Sequence, residues 1–243
     1  MAKINIGYLV PQFPGQTHGF FWREVLELEK MGANVHLIST SRPPAGIVSH
    51  AWSEEAIGRT TYLRQPSAGD CLDTLSTRSM RVLSSPGGPG FLRSIVMLPF
   101  AFQLARFCKA RAIQHVHVHS CARAALIAAM ARRVAGVPYS LTLHGMLEGY
   151  GPDQPFKWRN ADFCIVVTEK LMRSVRESLA GNLPVRLVRQ PMGVDTDFFC
   201  RTYEYEPYTG SGPLKIFSCG RLNPGMWHMF SLEAVKILSE AGV

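Results

Sequence analysis

The sequence predicts an α/β protein built on a doubly wound, Rossmann-like parallel sheet, and three observations carry that prediction. Short β-rich runs alternate with helical stretches along most of the chain. The predicted strands are near-continuous apolar runs, the pattern expected when helices cover both faces of a sheet. A strand, a helix and a second strand also fit within residues 3–39, a βαβ unit whose strands run parallel through a right-handed crossover.

The elements follow in order. "KINIGYLV" (3–10) is a buried first strand that ends at the turn signal "PQFPG". The stretch 17–31 has helical spacing, with Phe21, Val25, Leu28 and Met31 on one face, Thr17 as cap and Gly32 as stop. "ANVHLIS" (33–39) is the second strand. Residues 41–90 are less regular: "SRPPAG" and "SSPGGPG" are loops, and "TTYLRQ" is a short strand. Residues 91–112 are long, apolar and basic, with Pro99 expected to kink or divide the helix. Alternation then resumes: a strand at 115–119, a helix from Ser120 to Ala135 stopped by Gly136, and a strand at 138–143. A strand at 162–167 leads into a helix capped by Thr168, and "VRLVR" (185–189) is a last strand.

Residues 1–200 thus form one domain, and 201–213, "RTYEYEPYTGSGP", are a linker. From 214 a strand, "LKIFSC", and a helix within "WHMFSLEAVKILSEAG" open a second α/β unit. So short a segment cannot bury enough surface to fold alone. The chain is therefore expected to be part of something longer, the alternative being a βα pair docked on the first domain.

Composition narrows the function classes. Hydrophobic residues make up 47% and charged residues 18%, which excludes general disorder. The net charge of +8 suggests an anionic partner. No nucleic-acid recognition motif is present, so nucleic acid is not the expected partner. Six scattered cysteines without a CxxC pair read as buried free thiols of a reducing compartment, giving an expected cytoplasmic location. No apolar run is expected to reach the ~20 residues of a spanning helix.

The stretch "HVHVHS" (115–120) concentrates the chemistry. On a strand, His115, His117 and His119 share a face. Metal ligation by His117, His119 and His144 would make a metal-dependent hydrolase, yet no carboxylate or Cys pair has a zinc spacing, and no metal is expected. The plainer reading is a set of histidines held by backbone hydrogen bonds, which suits His115. His119 ends its strand, immediately before a helix that Ser120 would cap. Ligands bind along that carboxyl edge in open α/β sheets, and a helix N-terminus attracts phosphate. His144 also ends its strand, before Gly145, and the turn "VPQFPGQTHG" with Gly15 and His18 lies on the same edge. That turn is not GxGxxG, and no acidic residue ends the second strand, which disfavours a dinucleotide oxidoreductase.

These residues resemble a known family. "GYLVPQFPGQTHGFFWREVLELEKMGANVHLIS" is similar to the opening of retaining glycosyltransferases of the GT-B fold (glycosyltransferase family 4), exopolysaccharide enzymes among them. "HVHVHSCARAALIAAMARRVAGVPYSLTLHG" resembles their HxH and HG block, and "ADFCIVVTEKL" their aD…Se strand. "PMGVDTDFF" resembles the GVD…F signature, and "KIFSCGRLNPG" the GRL opening of the donor domain. The resemblance covers the chain except about 41–110.

It implies a metal-independent enzyme without a cofactor that moves a sugar from a nucleotide-sugar donor to a saccharide or lipid-linked acceptor, in polysaccharide biosynthesis. By resemblance His119 lies near the reacting sugar, His144 and Gly145 match the HG pair, and Gly15 faces the donor phosphates. His18 and His117 are grouped with the substrate-binding residues. Arg221 matches the GRL arginine, which supports the departing diphosphate as negative charge grows on it. The chain departs from the pattern at Met226 and Trp227, where the family has Lys and Gly, and the donor-gripping glutamates would lie beyond residue 243. A non-catalytic binding or scaffold protein of the same fold is therefore the alternative. The basic apolar segment, with Arg81, Arg93, Arg106, Lys109 and Arg111, is either a core helix with a solvated rim or a peripheral contact with an anionic membrane at the inner face.

Overall fold

The computed structural model describes residues 3–44, 46, 50–63, 65–210, 212–220 and 228–242. The chain divides into two compact units, Met1–Asp195 and Thr196–Val243.

The first unit contains a seven-stranded sheet: β1 (Asn5–Gln12), β2 (Asn34–Ser41), β3 (Thr61–Tyr62), β4 (His115–His119), β5 (Tyr139–Leu143), β6 (Phe163–Val166) and β7 (Arg186–Arg189). Its order is β3-β2-β1-β4-β5-β6-β7 and every pairing is parallel. This is the doubly wound α/β fold, with the order reversing between β1 and β4. The helices are α1 (Gly19–Lys30), α2 (Ser53–Arg59), α3 (Ala68–Asp73), α4 (Thr77–Leu83), α5 (Phe91–Ala110), α6 (Arg123–Ala135), α7 (Gln154–Arg159) and α8 (Glu169–Ser178). A one-turn 3-10 helix spans Leu147–Tyr150.

Alternation along each strand separates two cores. Tyr8 and Val10 of β1 join Phe21, Trp22 and Val25 of α1 and Ala56 of α2. Leu9 of β1, with Val116 and Val118 of β4, joins α5 and α6 on the other face. Helix α6 is buried along most of its length, and its alanines Ala124, Ala125, Ala128, Ala129 and Ala131 let it lie close between α5 and the sheet.

Several expectations are revised. Helix α1 starts at Gly19, because Gly15–His18 close a turn first, with the His18 N–H donating to the Gly15 carbonyl at 3.0 Å. Thr17 therefore caps nothing, and Met31 stands outside the core at 83% exposure. Ser120 does not cap α6 either: it has φ of 83°, and the N-cap is Ala122. The chain reverses too sharply after β4 for Ser120 to adopt capping geometry. Gly136 does stop α6 in the left-handed conformation, and Thr168 caps α8 by accepting from the Leu171 N–H. The irregular stretch 41–90 holds three short helices, α2, α3 and α4, of which α3 carries a capping box of Ser67 and Asp70.

Pro99 sits inside α5 without dividing it. Packing on α6 outweighs the roughly 3 kcal/mol that a helix-interior proline costs. With 20 residues and a mean hydropathy of 1.4, α5 is long and apolar enough to cross a membrane, contrary to expectation, although Leu98, Ala101, Phe102 and Leu104 belong to the core.

In the second unit, α9 (His228–Glu240) is a helix, as its sequence predicts, and none of its residues is buried. The strand expected from 214 is absent: residues 213–220 carry no regular structure. An extended segment becomes a strand only by pairing its backbone groups with a neighbour, and the described residues of this unit supply none. Arg221, Met226 and Trp227 lie outside the described residues.

Candidate functional site

The site forms where the strand order reverses, at the carboxyl ends of β1 and β4. Register places Tyr8 of β1 opposite His117, and His117 and His119 opposite Ser140 and Thr142 of β5. The odd-numbered residues of β4 therefore face α1, and the three imidazoles have different fates.

His115 is half-buried and near-surface, its Nε2 2.8 Å from the Ser140 Oγ. His117 has both ring nitrogens engaged, Nδ1 at 2.7 Å from Ser140 Oγ and Nε2 at 2.9 Å from Thr142 Oγ1. Burial, with help from His115 and His144, pushes its pKa down to about 3, so it is neutral. His117 is thus a fixed wall of the site. His119 is 1% exposed and held well below the ordinary imidazole range by burial first and by His117, His144 and His18 next. Its Nδ1 lies 3.1 Å from His144 Nε2, and its Nε2 lies 3.4 Å from Glu24 Oε2. His144, half-buried, is pushed down to about 4 by burial and by His18.

Aromatic rings enclose this pair. Tyr8 and Phe21 each bring a ring centroid within 4.5 Å of the His119 ring, and Phe20 and Phe21 flank His144 at 5.5 and 5.4 Å. Water is thereby kept from the inner imidazole. His18 stacks on Phe13 at 6.1 Å and tilts against Phe21 at 4.9 Å. Gly15 packs under His18: a Cβ there would lie 2.7 Å from the imidazole Cε1 and Nδ1. At Gly145 a Cβ would meet the Tyr150 hydroxyl at 3.3 Å. The loop after His119 is fixed from below, where buried Lys157 and Gln154 donate to the Cys121 carbonyl at 2.8 and 3.1 Å.

The fold therefore brings Gly15, His18, His117, His119, His144 and Gly145 to one sheet edge, and Arg221 lies outside the described residues. Two members were missed. Glu24 of α1 reaches the cluster, accepting from the Tyr8 hydroxyl at 2.8 Å, and burial raises its pKa. The signal was available, since Glu24 stands three residues after Phe21 and four before Leu28, on the apolar face of α1. Tyr8 becomes visible only once β1 is paired with β4.

Glu24, His117 and His119 also bring one ligand atom each within 4.8 Å of one another, a set with Glu24 where the hydrolase reading had His144. The donor chemistry fits a metal poorly, because His117 already spends both nitrogens on Ser140 and Thr142.

Residues 20–193 match the model of the glycosyl transferase 4-like domain. The chain belongs to that family. It is accordingly a glycosyltransferase-type α/β domain, with the cluster on the edge where this fold binds ligands. No curated protein matches the chain at a significant level. Among solved structures it is similar to one chain of the sucrose-phosphate synthase from Thermosynechococcus elongatus, at 12% identity and a TM-score of 0.45, covering 80% of this chain and 91% of that one. A longer chain of the same protein matches at 13% identity and a TM-score of 0.45 over 77% of this chain. This glycosyltransferase domain spans about half, 48%, of that longer chain.

Proposed function

We propose that this glycosyltransferase domain is the acceptor side of a retaining, metal-independent enzyme that transfers a sugar from a nucleotide-sugar donor to a saccharide or lipid-linked acceptor in polysaccharide biosynthesis. The observation that carries the reading is the pair of buried His119 and half-buried His144 at the topological switch point, flanked by the rings of Tyr8, Phe20 and Phe21. Neutral imidazoles there can hydrogen-bond sugar hydroxyls without placing a cation against the carbohydrate. His144 and Gly145 line the sugar subsite with His119 behind them, its Nδ1 3.1 Å from His144 Nε2, and the loop of Gly15 and His18 faces the donor phosphates. Arg221, assigned by sequence resemblance, would balance the charge that builds on the leaving diphosphate.

The six free cysteines support a cytoplasmic location. A peripheral place at an anionic membrane is supported by Phe91, Leu92, Ile95 and Val96, all exposed on α5, the helix that also carries Arg93, Arg106 and Lys109. In the test, the full chain is incubated with UDP- and GDP-sugars and scored for nucleoside diphosphate release, beside calorimetric titration with the diphosphates. His119→Ala should slow release by about 100-fold while diphosphate affinity stays unchanged. Equal rates in wild type and His119→Ala, on every donor turned over, would sink the reading.

A further inference from the structure

The chain Tyr8–Glu24–His119–His144 has an internal logic that the proposed reaction leaves unused. The Tyr8 hydroxyl donates to Glu24 Oε2 at 2.8 Å, and the same oxygen lies 3.4 Å from His119 Nε2. On its other side, His119 Nδ1 is 3.1 Å from His144 Nε2. A neutral imidazole carries one proton, so each nitrogen pair must match one donor with one acceptor. With Nε2 of His119 unprotonated, its buried lone pair would face the carboxylate oxygen, acceptor against acceptor, which is costly. With the proton on Nε2, its positive end faces the carboxylate 3.4 Å away, an electrostatic contact without a formed hydrogen bond, and Nδ1 is left as acceptor. The His144 proton must then sit on its own Nε2, and its Nδ1 becomes a lone pair. No hydrogen bond holds that Nδ1 among the described residues. His117, with both nitrogens committed to Ser140 and Thr142, cannot substitute in this chain. His18 is the other imidazole that bears on the pair.

We propose that Glu24 is a positioning residue: its carboxylate fixes the Nε2–H tautomer of His119 and, through His119, makes Nδ1 of His144 a hydrogen-bond acceptor for a substrate hydroxyl. The identity of that hydroxyl as a sugar hydroxyl rests on the glycosyltransferase reading; the tautomers do not. Glu24 touches no substrate in this scheme. It acts through the ring it orients, as carboxylates do behind other working imidazoles.

The test is a two-bond proton–nitrogen spectrum of the full chain labelled with nitrogen-15 histidine, at mildly alkaline pH, assigned with His119→Asn and His144→Asn. The expected result is a proton on Nε2 of both His119 and His144. In Glu24→Gln the side-chain amide can turn a donor toward the ring, and the Nε2–H population of His119 should fall. Tyr8→Phe keeps the carboxylate and should keep the tautomer. A proton on Nδ1 of His119 in wild type overturns the proposal, whether or not any variant folds. An unchanged His119 tautomer in folded Glu24→Gln overturns it as well. If the tautomers are as stated and no nucleotide-sugar is turned over, the glycosyltransferase reading fails while the role of Glu24 stands.

Discussion

At the scale of single residues, the site depends on small groups in tight places. Gly15 is needed for the space it leaves, because a Cβ there would sit 2.7 Å from the His18 ring. The ring is the far end of a flexible side chain, so Gly15→Ala should displace His18 and leave the fold intact. The expected outcome is a drop in donor turnover of about 10-fold with a melting temperature close to wild type, measured by diphosphate release and thermal unfolding. A large fall in melting temperature would show that Gly15 serves the backbone instead. Ser120 is the other conspicuous residue. A non-glycine φ of 83° is tolerated where the surroundings over-determine it, and Ser120 follows His119 directly. Its N–H donates to the Thr142 carbonyl at 3.0 Å, extending the β4–β5 ladder while the chain turns away.

At the scale of elements, α6 decides how closely the far layer approaches the sheet. Ala124, Ala125, Ala128 and Ala129 are fully buried against α5 and the strands, so the layer spacing is set by methyl groups. Ala128→Leu adds volume at a fully buried position and should destabilise by about 1–3 kcal/mol, seen as a lower denaturation midpoint with an unchanged slope. A midpoint equal to wild type would mean that α5 and α6 can separate without cost. Helix α1 shows the complementary design. Its Phe21, Trp22 and Val25 supply the burial that anchors it, and that anchoring is what lets Glu24 reach His119 from the same face.

At the scale of the whole molecule, buried imidazoles tie stability to pH. His117 titrates at about 3 and His144 at about 4 in the folded chain, with His119 also held well below the usual range, each chiefly because burial disfavours the cation. In the unfolded chain all three take up protons near pH 6.5. Above that pH both states are neutral and the full stability is present. Below it the unfolded state binds protons that the folded state refuses, so stability falls, by up to about 1.4 kcal/mol per pH unit for each imidazole. Chemical denaturation at successive pH values should therefore show a steep loss between about 6.5 and 4, made shallower by His117→Asn. A flat profile over that interval would mean that the histidines are solvated in the folded state.

The sequence by itself determined the layered architecture: the alternation of apolar runs and amphipathic stretches specified all seven strands within a few residues, β3 at Thr61–Tyr62 included, together with α1, α6 and α8. It also located the site edge, because His119 and His144 end their strands and ligands bind at that edge. These signals are local, carried by periodicity and by stop or cap residues such as Gly136 and Thr168. Tertiary structure alone decided which imidazoles do what. His115, His117 and His119 alternate along one strand with Val116 and Val118 between them, yet partners from β1, β5 and α1 make one near-surface, one locked and one central. It also decided the short helices of 41–90, too brief for periodicity to register, and the continuity of α5 through Pro99. Contacts between residues distant in sequence, such as Tyr8 with Glu24 and Glu24 with His119, exist only once the sheet order is chosen. The hydrogen bonds that distinguish chemically identical side chains are therefore a property of the packed fold.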